Sequence, residues 1–253
     1  MEIAILLHST FNRLENLKKT VESFGYDYKI YLAWTGELNG EVMSYLDLLN
    51  SEGHEAYYLG WDTSPAVTRN YLIEKITEPY IWKIDDDFIL TGDEKPGDII
   101  EVLKKEGRRL ALVGMSVAGD KRVSPFIYNA NFVDKRLKLE SVKNPEWKKV
   151  GNVNYHYCDI TPDCWIARRE IFPECNYDMR FHVSEGLHPD FFLQIKKKGY
   201  KVAYTPDSVV YHTKWQKGNK INKDSFYNQM RFRNLHNTNK FCEKWEITGT
   251  NII

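Results

Sequence analysis

The chain has 253 residues, enough for one α/β domain or a domain with a small subdomain, and its 42% hydrophobic and 28% charged residues exclude a disordered polypeptide. Thirty-five basic residues balance thirty-five acidic ones, which argues against a general nucleic-acid binder. Cys158, Cys164, Cys175 and Cys242 form no C-x-x-C pair, and Met1 leads directly into a short apolar run. A zinc framework, a signal segment and a membrane span are therefore not expected, and reduced thiols in a cytoplasmic protein are.

Residues 3–7 form a continuous apolar run, as a buried parallel strand would. Phe11, Leu14, Leu17, Val21 and Phe24 then recur at helical spacing, and Asn12 with Glu15 has the pattern of a capping box. A strand is expected from Lys29 to Ala33, a helix over 41–50 and a short strand over 55–59. Ser64-Pro65 opens a helix running to about Ile76. Tyr80 to Ile84 is another apolar run, ending in Asp85-Asp86-Asp87. Such alternation implies a largely parallel sheet, with ligands beyond the carboxyl ends of its strands. Further on, the pattern predicts a helix over 97–106, a strand over 110–117, an antiparallel hairpin within 125–142 and a strand over 153–159. It also predicts a helix near Arg168 to Phe172, a helix over 188–198 stopped by Gly199, and two strands near 201–204 and 208–212. Residues 213–253 are rich in basic and aromatic side chains, and have no clear period.

Carboxylates are natural ligands of hard divalent cations, and those cations bridge diphosphate oxygens. Strand alternation would turn Asp85 and Asp87 to the same side. The competing reading is an acidic loop that merely ends a strand.

The segment from Tyr80 through Asp85-Asp86-Asp87 to Thr91 resembles the D-x-D segment of GT-A glycosyltransferases. It is most similar to the family 2 group and its β-1,4-N-acetylgalactosaminyltransferase-like branch. Ala66-Val-Thr-Arg-Asn70 resembles the element preceding D-x-D, and Thr10-Phe-Asn-Arg13 the first nucleotide loop. The stretch from Asp190 to Asp207 resembles the late acidic helix and strand, and Tyr211-His212 the late histidine. Together the match spans about residues 3–213. The resemblance implies a GT-A (Rossmann-like) α/β fold, with a mostly parallel central sheet flanked by helices and a small antiparallel sheet. Its nucleotide half would cover about 1–92 and its acceptor half about 93–212, followed by a C-terminal extension over 213–253.

The same resemblance implies Mn2+ or Mg2+ held by Asp87 and His212, with Asp85 on the metal, its water or the ribose. Thr10, Asn12, Arg13, Arg69, Asn70 and Asp86 would serve the nucleotide-sugar. The usual acid at the end of the second strand is replaced by Ala33-Trp34-Thr35-Gly36-Glu37. Trp34 therefore stacks on a base or packs in the core, and uridine is expected ahead of guanosine. The family's Glu-Asp pair before the late acid is replaced by Leu187-His188, leaving the general base among Asp190, His188 and Glu185. Asp190 could equally serve only the helix dipole. Asp163 and Trp165 would face the sugar or acceptor, with a core role as the alternative for Trp165.

The implied activity is metal-dependent inverting transfer of GalNAc, GlcNAc or Gal from a UDP-sugar to a glycan, glycolipid or lipid-linked acceptor. The extension would be a lid, a peripheral membrane contact or a packing segment. A nucleotidyltransferase, a metal-dependent phosphohydrolase and a non-catalytic sugar- or nucleotide-binding module are the alternatives.

Overall fold

The computed structural model describes residues 2–25, 27–119, 122–124, 127–182, 186–213 and 237–250, with 122–124 as backbone alone. Strands β1 (Ile3–Ser9), β2 (Lys29–Trp34), β3 (Glu55–Tyr58) and β4 (Tyr80–Asp85) alternate with helices α1 (Leu14–Ser23), α2 (Gly40–Ser51) and α3 (Pro65–Lys75). The four strands are parallel, so their carboxyl ends share one edge of the sheet. Side-chain caps set two of the helix starts: Ser64 Oγ accepts from the Val67 amide and Asn39 Oδ1 from the Val42 amide. The capping box at Asn12 does not form. Phe11 takes a positive φ of 51° there, and α1 begins after Arg13 without a side-chain cap.

Strand β5 (Phe88–Ile89), helix α4 (Pro96–Glu106) and strands β6 (Leu110–Gly119) and β7 (Arg122–Ser124) follow. Strands β8 (Tyr128–Val133) and β9 (Arg136–Ser141) form the expected antiparallel hairpin. Next come β10 (Lys148–Val150), β11 (Val153–Cys158), β12 (Trp165–Arg168), helix α5 (Leu187–Lys197), β13 (Lys201–His212), helix α6 (Asn237–Lys244) and β14 (Gly249–Thr250). The main path of the central sheet runs β10-β11-β13-β6-β12-β4-β1-β2-β3. The small sheet is β14-β9-β8, with β14 parallel to β9.

The expected helix near 168–172 is instead strand β12 followed by one 3-10 turn over Arg169–Ile171. β12 lies antiparallel between β4 and β6, and therefore starts at the edge where they end. The two short strands expected after Gly199 are one continuous β13, with a register shift between Thr205 and Val209. Parallel to β6, β13 also finishes at that edge.

The sheet separates two apolar layers. Period-two alternation in β4 sends Ile81 into one layer and Tyr80, Trp82 and Ile84 into the other. Trp165 is fully buried in the first layer, its ring 5.5 Å from Phe191 and 6.2 Å from Phe172. It is core, and offers no floor to a sugar ring. Trp165→Ala is expected to lower the unfolding free energy by about 3–5 kcal/mol, as read by chemical denaturation.

Candidate active site

The same alternation that builds the core divides the acids at the end of β4. Lys83 and Asp85 share the face of Ile81, as His8 shares the face of Leu6 on the neighbouring β1. Asp86 and Asp87 lie in the turn between β4 and β5, so strand alternation no longer governs where they point. Asp86 accepts from Ser9 Oγ at 2.5 Å and from Arg13 Nε at 2.8 Å. The second Asp86 oxygen lies 2.5 Å from Arg13, and Asp87 Oδ2 lies 2.8 Å from the same guanidinium. Adjacent acids thus converge on Arg13, rather than the alternating pair on one ligand.

Asp85 belongs to a second cluster. Lys83 is 1% exposed, yet its ammonium reaches Asp85 Oδ1 at 2.7 Å, the Asp163 carbonyl at 2.6 Å and Asp163 Oδ2 at 2.7 Å. Three acceptors match its three N–H donors. Arg69 lies 3.4 Å from Asp163 and 3.7 Å from Asp85. Burial pushes the Asp163 carboxyl up, but Lys83, Arg69 and His188 outweigh it and hold the group well below the usual carboxylate range. Asp85 Oδ1 thus pairs with two protein cations, while its side chain stays 39% exposed.

His212 reaches the acids through the backbone. β5 and β13 pair with Phe88 opposite His212, and the Thr213 amide donates to the Asp87 carbonyl at 2.9 Å. His212 Nε2 consequently stands 3.7 Å from Asp87 Oδ2. A carboxylate and an imidazole suit Mn2+. Among the described residues no set of three His, Cys, Asp or Glu side chains converges. Asp87 and His212 are therefore the two described side chains that could hold a divalent ion here.

Of the other expected nucleotide-side residues, Thr10 donates to the Thr35 carbonyl at 3.4 Å. Arg13 and Arg69 are buried against carboxylates rather than turned outward to phosphate. Asn70 spends both ends of its amide on the Tyr177 backbone, at 2.8 and 2.9 Å, and so ties α3 to the loop before α5. Trp34 is 1% exposed and its Nε1 donates to the Glu37 carbonyl, so it is packed in the core, although part of it lines the neighbouring cleft. A cleft of about 400 Å³ opens beside it, lined among others by Phe11, Asn12, Glu37, Asn39 and Trp61. The exposed aromatic there is Trp61, edge-on to Phe11 at 5.9 Å. A Cβ at Gly36 would overlap the Phe11 backbone, so glycine is what lets that loop close down. Trp61 was not singled out by sequence, and the neighbouring Gly60 was the available signal of a turn there.

The candidate bases fare differently. Asp190 is fully buried, and its oxygens accept from Gln194 at 2.8 Å, Lys244 at 2.8 Å and Trp245 Nε1 at 2.9 Å. Helix α6 and the residue after it thereby close it off from an acceptor. His188 turns Nε2 to the Thr161 carbonyl at 2.9 Å and Nδ1 toward Asp163 at 3.2 Å, so both ring nitrogens face protein groups while the ring stays partly exposed. Glu185 lies outside the described residues, as does residue range 214–236 of the expected lid or membrane segment. The described part of the extension packs on α5, and no described helix is long and apolar enough to cross a membrane.

No family model and no curated protein matches the chain. Solved structures do. S. aureus TarS superposes with a TM-score of 0.57 at 11% identity, over 84% of this chain and 37% of that one. TarS 1-349 in complex with UDP-GlcNAc gives 0.57 at 9% identity, over 90% and 62%. GalNAc-T7 with UDP, GalNAc and Mn2+ gives 0.62 at 13% identity, over 98% and 55%. These neighbours are GT-A glycosyltransferases. The fold is GT-A. At such identities the likeness is one of fold, and the chain spans between 37% and 62% of the length of these proteins.

His8 was also missed by sequence, because it continues an apolar strand. It lies among all three buried cations, and its Nε2 is 2.9 Å from Thr35 Oγ1. Burial, then Arg69, Lys83 and Arg13, push its pKa down to about 3. Between that value and the ordinary ~6.5, the unfolded chain binds a proton that the folded one refuses. His8 therefore makes stability fall as pH drops through this window. In His8→Gln the urea midpoint should decline less between about pH 7 and pH 4.5 than in the parent protein.

Proposed function

We propose that the chain is a glycosyltransferase that takes its sugar from a UDP-sugar. The observation that carries this reading is the convergence of Asp87 and His212, 3.7 Å apart, at the carboxyl edge of a GT-A sheet. In this reading the base occupies the cleft beside Phe11 and Trp61. Asp87 and His212 would hold Mn2+ or Mg2+, and such an ion would supply positive charge to a diphosphate leaving group. Asp85 and Asp163, fixed by Lys83 and Arg69, accept hydrogen bonds from the hydroxyls of the donor sugar. Because their cations are already in place, these carboxylates need no reorientation when the sugar arrives.

The neighbouring structures hold UDP-GlcNAc in one case and UDP with GalNAc in another, which supports an N-acetylhexosamine donor here, with galactose as the alternative that the motif resemblance offers. The stereochemical course proposed is inversion by single displacement: a glycan or lipid-linked hydroxyl bonds to the anomeric carbon as UDP leaves, and its proton passes to Glu185, the base candidate left of the three. The inward-turned His188 and Asp190 favour one second reading, a module that binds the donor without transferring it.

Thermal unfolding with UDP-GlcNAc, UDP-GalNAc and UDP-galactose, with and without Mn2+, is the direct test of the site. A donor at about 100 times its Kd should add ~2.7 kcal/mol of stability. The gain should require Mn2+ and vanish in Asp87→Ala. Release of UDP in the presence of acceptor glycans, with an inverted anomeric product by NMR, then separates enzyme from binding module. No stabilisation by any of these donors would contradict the proposal.

A further inference from the structure

A second cleft opens on the solvent face of α5. It measures about 420 Å³ and is lined by Phe132, Leu193, Lys196, Lys197 and Trp245. Positions 193, 196 and 197 share one helix face because they are three and four residues apart. Phe132 comes from β8 and is 46% exposed. Its ring stacks with that of Trp245 at 5.9 Å and 27°. The indole is fixed from behind, since its Nε1 donates to the fully buried Asp190, whose other oxygen holds Lys244 and Gln194. Lys196 is braced by Asp159 at 2.7 Å and by the Ala130 carbonyl at 2.6 Å. The Lys197 ammonium stands 5.5 Å from the indole ring.

The combination is selective in its chemistry. A solvent-facing aromatic wall held by a buried carboxylate offers apolar contact to the C–H face of a pyranose ring. Lys196 is matched by Asp159, so the Lys197 ammonium supplies the positive charge at the lip, which favours a ligand that also carries negative charge. We propose that this cleft is a binding subsite for an acidic oligosaccharide, a glycan bearing sugar carboxylates or phosphates, and that it holds the acceptor.

The acceptor role rests on the glycosyltransferase reading, whereas the binding site itself does not. Helix α5 joins the two places. His188 near its start contacts the Asp163 cluster, and Lys196 lies eight residues on, about 12 Å along the axis. Lys197, nine residues from His188, also faces about half a turn away from it, so an acceptor reaching both must be several sugar rings long and pass around the helix. Asp190 thereby acquires a role other than proton transfer: it positions Trp245 in the wall of the cleft.

The test is calorimetric titration of the full chain with hyaluronan tetrasaccharide, 6-phosphorylated chitotetraose and uncharged chitotetraose, alongside UDP with Mn2+. At least one acidic ligand should bind about tenfold tighter than the uncharged one. Phe132→Ala and Lys197→Glu, both at exposed positions, should each weaken that binding about tenfold and leave the UDP affinity unchanged. Equal binding of charged and uncharged sugars, no sugar binding, or full binding by both variants would overturn the proposal. Variant-sensitive binding to phosphatidylglycerol vesicles without oligosaccharide binding would also overturn it, and assign the cleft to a lipid surface. Loss of UDP binding alone would count against the enzyme reading and leave the subsite standing.

Discussion

The site depends on burying positive charge under the carboxyl edge of the sheet. An unpaired ammonium inside a protein is strongly unfavourable, so Lys83 dictates its surroundings. Its three N–H groups require three acceptors, and β4 supplies only Asp85. The other two come from Asp163, which can reach Lys83 because β12 runs antiparallel to β4 and starts at the right edge. Arg13 imposes the same condition on the other side, where Asp86 and Asp87 meet it. The carboxylates are therefore held in place by the fold before any ligand arrives, which is the arrangement that electrostatic catalysis requires.

Sheet topology then turns distant positions into neighbours. The β5–β13 pairing sets His212 beside the acidic turn through main-chain hydrogen bonds, so the Asp87–His212 approach does not rely on long side chains. Alternation along β4 divides the acids into two groups with different partners. One group, with Lys83 and Arg69, is suited to hydroxyls. The other, with Arg13 and His212, would take the cation and the diphosphate in the proposed reading. Helix α5 extends this layout away from the edge, from His188 at the Asp163 cluster to the lysines beside Trp245.

Much of this was legible in the sequence where local signals were strong. The apolar runs of β1, β2 and β4, the Ser64-Pro65 helix start and the Gly199 stop all fall where expected, because each is set by nearby residues. The pairing of Asp87 with His212 was expected from motif order. The counterions were not, since Lys83 inside Ile81-Trp82-Lys83-Ile84 reads as part of a strand, and its partner lies 80 positions away. Strand β12 escaped because four residues followed by a tight turn resemble a helix start. Asp190 has the sequence signature of a base at the head of a helix. Only packing reveals that Lys244 and Trp245, 54 and 55 positions later, take its oxygens. Trp34 and Trp165 posed the general ambiguity of tryptophan, which burial resolves in favour of the core.

The claim that buried cations organise the site is tested most directly by a double-mutant cycle on Lys83 and Asp163, with unfolding free energies from urea titration. Lys83→Met and Asp163→Asn should each cost about 3 kcal/mol or more, because each strands the partner's charge. The double variant should fall short of their sum by ~1–3 kcal/mol. Two small effects that add to within ~0.5 kcal/mol would show that the pair does not hold the carboxylates in place.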